Sequence, residues 1–110
     1  EVLDELSRPA ATDVLLATDL HAGNVLRAER EPWLVIDPKP FVGDAAYDAT
    51  QHLLNCRLRL ATDPVSTMRR FADLLGVSTE RVRLWTFART VIETDGSLGD
   101  LRSLARTLAP

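Results

Sequence analysis

The sequence predicts an α+β fold, mostly α, with one β-hairpin followed by about four helices, and three observations carry that prediction. Two β-type runs, residues 24–28 and 33–37, flank the polar turn Glu29-Arg30-Glu31-Pro32. From Asp44 onward apolar residues recur at helical spacing. At 110 residues and 45% hydrophobic content the chain can build one core and not two, so residues 1–110 are read as a single domain.

Taken in order, residues 2–7 read as the end of a helix that begins upstream and stops at Arg8-Pro9, because proline restricts the residue before it. Val14-Leu15-Leu16 is an apolar run too short for a helix, leading into a polar loop over residues 18–23. The hairpin follows with a four-residue connection, and it is expected to be the only sheet. Asp44 can cap a helix reaching residue 60, residues 62–64 break it, and residues 66–75 run amphipathically to Gly76. Ser78 caps a third helix with apolar positions Val82, Trp85, Ala88, Val91 and Ile92. Leu101, Leu104, Ala105 and Leu108 mark a fourth after Gly96 and Gly99.

Composition excludes several classes. A net charge of −3 and a pI near 5.3 leave no basic field for nucleic acid or an anionic membrane. Cys56 is the one cysteine, so no intrachain disulfide or thiolate cluster forms, and a cytoplasmic setting fits best. No apolar stretch approaches the roughly 20 residues of a membrane span.

The chemistry concentrates in the loop and hairpin. Asp19 and Asn24, with four residues between them, have the spacing of a kinase catalytic loop, in which the aspartate accepts a proton and the asparagine binds metal. A hairpin registered about its polar turn is expected to bring Asn24 and Asp37 side by side, roughly 5 Å apart. Carboxylate and amide oxygens are the hard ligands that Mg²⁺ prefers, with phosphate and water completing its shell.

The motifs Thr18-Asp19-Leu20-His21-Ala22-Gly23-Asn24-Val25-Leu26 and Ile36-Asp37-Pro38-Lys39-Pro40, followed by Gly43-Asp44 and Tyr47-Asp48, resemble those of the aminoglycoside phosphotransferases. Within that family the resemblance is to streptomycin and hydroxyurea phosphotransferases. The resemblance is strong from about residue 14 to 55. It implies a protein-kinase-like C-lobe whose nucleotide-binding N-lobe is absent, and an ATP-dependent kinase acting on a hydroxyl of an antibiotic-like molecule to confer resistance. It further implies Asp19 as the base, Asn24 and Asp37 as the ligands of Mg²⁺ and so of the nucleotide, and Asp48 as a carboxylate bracing the loop. Many members have His-Gly where this chain has Ala17-Thr18. No glycine-rich loop or GxxxxGK[ST] motif is present to cradle ATP, and Lys39 lacks the strand context of an ATP lysine, so the isolated chain is expected to be inactive.

Other residues have plainer readings. His21 orients the loop, Asp44 is a helix cap, Asp48 is buried and structural, and Trp33, Trp85, Phe71 and Phe87 are core aromatics. Glu93, Asp95 and Asp100 form a solvated helix end rather than contacts to a cationic acceptor. Two alternatives stand beside the kinase: a pseudokinase or scaffold fragment, and a helix-turn-helix DNA-binding module over residues 68–88. Apolar surface is expected where an absent lobe would dock, giving the isolated chain a route to dimerise.

Overall fold

In the computed structural model, which describes residues 1–9, 12–93 and 101–110, the elements follow in the order α1 (Val2–Ser7), β1 (Asp13–Leu16), β2 (Val25–Arg27), β3 (Trp33–Val35), β4 (Phe41–Asp44), α2 (Asp48–Asn55), α3 (Arg57–Thr62), α4 (Pro64–Leu75), α5 (Thr79–Ile92) and α6 (Leu101–Leu108). Single 3₁₀ turns occupy Ala22–Asn24 and Ala45–Tyr47. This is a mostly helical α+β chain.

Local chemistry sets the helix ends. Asp63 accepts from the Ser66 N–H at 3.2 Å, with Pro64 in the first turn of α4. That helix stops at Gly76, whose φ of +68° lets the Val77 N–H return to the Ala72 carbonyl. Ser78 caps α5 through the Arg81 N–H. The single helix expected from Asp44 to residue 60 is instead a 3₁₀ turn and two helices. The break falls at Cys56 (φ −97°, ψ 42°), after Asn55, where two poor helix formers adjoin.

The core lies among the helices. Leu53, Leu60, Met68, Val82, Leu101, Leu104 and Leu108 bury together, each large side chain contributing about 1.5–3 kcal/mol. Leu6 of α1 closes a second cluster with Leu84 and Ala88. Every residue of α5 from 81 to 90 is buried or half-buried. Over these residues the helix packs into the core, as a structural helix does.

The expectation of a single sheet is corrected. Two separate antiparallel ribbons form, β2 with β3 as a hairpin and, enclosing it, β1 with β4, in which Leu15 pairs with Val42 and Leu16 with Phe41. Residues 14–16 were an unassigned apolar run because their partner lies beyond the whole hairpin, where no local pattern can announce it. The core reading of Trp33 also fails. Trp33 is 62% exposed, with the Arg27 guanidinium 5.7 Å above its ring.

Candidate functional site

Because one ribbon is nested inside the other, residues 17–24 and 36–40 run alongside each other where the ribbons meet. The Lys39 N–H donates to the Ala17 carbonyl at 2.9 Å, the Thr18 Oγ1 hydroxyl donates to the Lys39 carbonyl at 2.5 Å, and the Ile36 N–H donates to the Asn24 carbonyl at 2.8 Å. From the far side the first turn of α2 grips the same loop. Asp48 accepts from the Ala17 N–H on Oδ2 at 2.9 Å and from the Thr18 N–H on Oδ1 at 2.8 Å. The bracing role implied for Asp48 thus has direct geometry, although its side chain is half-buried rather than fully buried.

These bonds hold an uncommon backbone. Thr18 has φ +60° and Asp37 φ +49°, the two non-glycine residues with positive φ among those described. For β-branched Thr18 this is a true outlier, and such strain persists only where the surroundings over-determine it. Thr18 adjoins Asp19, and Asp37 is itself a site residue expected from the sequence.

Asp19 and Asn24 come into direct contact. Asn24 is 9% exposed, and its Nδ2 donates to the Asp19 carbonyl at 3.0 Å and to Asp19 Oδ2 at 3.3 Å. With its nitrogen committed there, the Oδ1 oxygen is the atom chemically suited to a cation. Lys39 Nζ donates to Asp19 Oδ2 at 3.1 Å. That bond, opposed by desolvation and joined by the charges of Lys39 and His21 and the Asn24 amide, holds the Asp19 carboxyl below the ordinary aspartate range.

His21 orients the loop, as expected. Its Nδ1 accepts from the Gly23 N–H at 3.1 Å, while Nε2 stands 3.6 Å from Asp19 Oδ1, beyond hydrogen-bond range. A Cβ at Gly23 would lie 2.9 Å from the His21 ring, so any other residue there would displace that ring.

Asp37 is placed differently from the expectation. The strands pair Val25 with Val35 and Arg27 with Trp33, leaving a five-residue connection over residues 28–32 instead of four. The register shifts by one, so Ile36 stands opposite Asn24 and Asp37 lies one residue further, exposed. Among the described residues Asp37 makes no hydrogen bond to Asp19 or Asn24. It adjoins them through the Ile36 backbone.

A pocket of about 490 Å³ opens beside Asp19 and Lys39, walled by Phe41, Tyr47 and Trp85 and reaching Asp44. Asp44 caps the following turn through the Ala46 N–H at 3.0 Å, as expected, and also accepts from Arg81 Nε at 2.6 Å and Trp85 Nε1 at 2.9 Å. Trp85 meets Tyr47 edge to face, with centroids 5.3 Å apart. Glu93 pairs with Arg89, which also donates to Thr50 and Gln51. Asp95 and Asp100 lie outside the described residues. Sequence reasoning missed Lys39 and Trp85 as site residues. The two prolines flanking Lys39 were the available signal, since they stiffen that segment.

Residues 2–95 match the family model described as aminoglycoside/hydroxyurea antibiotic resistance kinase. A hydroxyurea phosphotransferase of Kitasatospora aureofaciens is 44% identical over 79 residues, which cover 72% of this chain and 23% of that protein. A streptomycin 6-kinase of Streptomyces griseus is 41% identical over 104 residues, covering 89% of this chain and 33% of that protein. A second streptomycin 6-kinase, of Streptomyces glaucescens, is 39% identical over 105 residues with the same coverage. The chain therefore spans a quarter to a third of the length of the curated relatives it matches. No solved structure gives a significant match. With a family model matching residues 2–95 and relatives near 40% identity, the chain belongs to the aminoglycoside/hydroxyurea antibiotic resistance kinase family.

Proposed function

We propose that the protein carrying this chain is an ATP-dependent phosphotransferase that acts on a hydroxyl of a small antibiotic-like molecule and so confers resistance. The acceptor would be an aminoglycoside such as streptomycin, or hydroxyurea, the molecules in the relatives' names. The chain is its kinase-like C-lobe, and the nucleotide-binding lobe lies elsewhere in the protein. The observation that carries this reading is the Asp19–Asn24 contact in a strained loop braced by Asp48 at the mouth of a pocket.

In this reading Asp19 accepts the proton of the acceptor hydroxyl as the acceptor's oxygen bonds to the γ-phosphorus of ATP and the bridging P–O bond breaks to release ADP. Phosphoryl transfer passes through a loose transition state, so positioning matters more than base strength, and a carboxylate held below the usual range still suffices. Asn24 and Lys39 hold the carboxylate, Asp48 holds the loop, and the pocket seats the acceptor against Phe41, Tyr47 and Trp85.

Asn24 and Asp37 are the proposed Mg²⁺ ligands. Their oxygens are hard donors, and an ion that draws most of its shell from phosphate and water needs only one or two protein ligands. That chemistry fits Asn24, whose amide nitrogen is held by Asp19 and whose oxygen is left for such a role. Bound Mg²⁺ would neutralise charge on the phosphates. ATP as co-substrate supports a cytoplasmic setting, and no helix among the described residues is long and apolar enough to cross a membrane. The paired residues Leu15 and Val42, each at least 73% exposed, support self-association of the isolated chain.

The test is to incubate the full-length protein with ATP, Mg²⁺ and either streptomycin or hydroxyurea, and to analyse the products by mass spectrometry. A phosphorylated acceptor, formed only with Mg²⁺ present, is expected. ATP turnover with neither acceptor modified would contradict the proposal.

A further inference from the structure

We propose that the Lys39 side chain is a positioning residue for transfer, fixing the Asp19 carboxylate toward the acceptor pocket and supplying positive charge beside the proton acceptor. This rests on the reading of Asp19 as the acceptor of the hydroxyl proton.

Four observations lead to it. The ammonium lies 3.1 Å from Asp19 Oδ2, and both residues line the same pocket. The backbone from which that side chain springs is fixed at both polar groups, its N–H to Ala17 and its carbonyl to Thr18. Pro38 and Pro40 restrict the chain on either side. The Lys39 side chain is nevertheless 65% exposed, so it contributes no packing that would explain such constraint. An exposed lysine needs no anchored backbone to be soluble, whereas a lysine that must meet one carboxylate oxygen does.

The contacts on Asp19 divide the work. Asn24 bonds the carbonyl and one carboxylate oxygen from the loop side, and His21 stands too far for a hydrogen bond. Lys39 reaches that same carboxylate oxygen from the neighbouring segment, so the rotamer of Asp19 is held between two elements rather than one. The ammonium has three donors, and beyond the one given to Asp19 it can face the incoming anionic group. Without it, the carboxylate can turn away from the pocket.

Backbone and side-chain roles separate cleanly, because Lys39→Met keeps both backbone bonds and removes only the charge. In the full-length protein with ATP, Mg²⁺ and saturating acceptor, K39M is expected to lower kcat roughly 10–100-fold, the scale of a misplaced reacting group. KM for ATP and the melting temperature should stay near the wild-type values. Lys39→Arg, which restores charge with a different fork, should recover part of the loss. A K39M enzyme with kcat within about twofold of wild type would overturn the proposal. So would K39R and K39M losing kcat equally while both melt earlier, which would mark a structural role. If Asp19→Asn abolishes transfer while K39M is unimpaired, the inference fails and the kinase reading stands. If D19N turns over normally, Asp19 is not the proton acceptor, and the inference that rests on that role fails with it while phosphotransfer itself stands.

Discussion

Replacing Asp48 with alanine should uncouple the loop from the helices. The carboxylate accepts two backbone N–H groups, from Ala17 at 2.9 Å and Thr18 at 2.8 Å. Hydrogen bonds to a charged group contribute about 1.5–3 kcal/mol each, so the gross loss is about 3–6 kcal/mol. Against this, the freed loop can relax from φ +60° at Thr18, which returns about 1–3 kcal/mol of strain. Water reaches the half-exposed N–H groups and recovers a further part, leaving a net destabilisation of about 2 kcal/mol. Urea unfolding of the full-length D48A protein should show a lower midpoint with an unchanged slope. Asp48→Asn retains one acceptor oxygen and should lose about half as much. If D48A unfolds within about 0.5 kcal/mol of wild type, the brace does not hold the loop and the argument from strain is refuted.

Other expectations follow from single contacts. Gly76→Ala puts a Cβ into open space at φ +68°, so the penalty is conformational alone, about 1–2 kcal/mol by urea unfolding, with Gly76→Asn milder. Burial works to raise the Asp44 carboxyl, but the bonds from Trp85, Ala46 and Arg81 outweigh it and hold it below its ordinary value of 3.8. A depressed carboxylate stabilises fully above that value and loses its contribution as pH falls through the folded one. Acid unfolding should therefore set in below about pH 3.8, and Asp44→Asn should flatten that limb in a pH-resolved melting series.

The parts of the site that could be read in advance were those that depend on near neighbours in sequence. The five-residue step from Asp19 to Asn24 fits one turn of loop and 3₁₀ helix, so their contact follows from local geometry. The caps at Asp44, Ser78 and Gly76 follow from side-chain and backbone chemistry alone. Contacts closed over distance were harder. Strand β4 was invisible because its partner β1 lies across the entire hairpin, and Lys39 reaches Asp19 only because that ribbon closes. One extra residue in the hairpin connection moved Asp37 out of register, an error that a period-two pattern cannot reveal when neither face of the ribbon is fully buried. Trp33 shows the complementary limit, since hydrophobicity does not say whether a second layer exists to cover it.

The central claim, that Asp19 takes the acceptor's proton, is tested most directly by a single-turnover rate. With ATP, Mg²⁺ and acceptor prebound to the full-length protein, Asp19→Asn should slow the chemical step about 10²–10⁴-fold while the binding of both substrates stays close to wild type. A D19N protein that transfers phosphate at the wild-type rate would contradict the account.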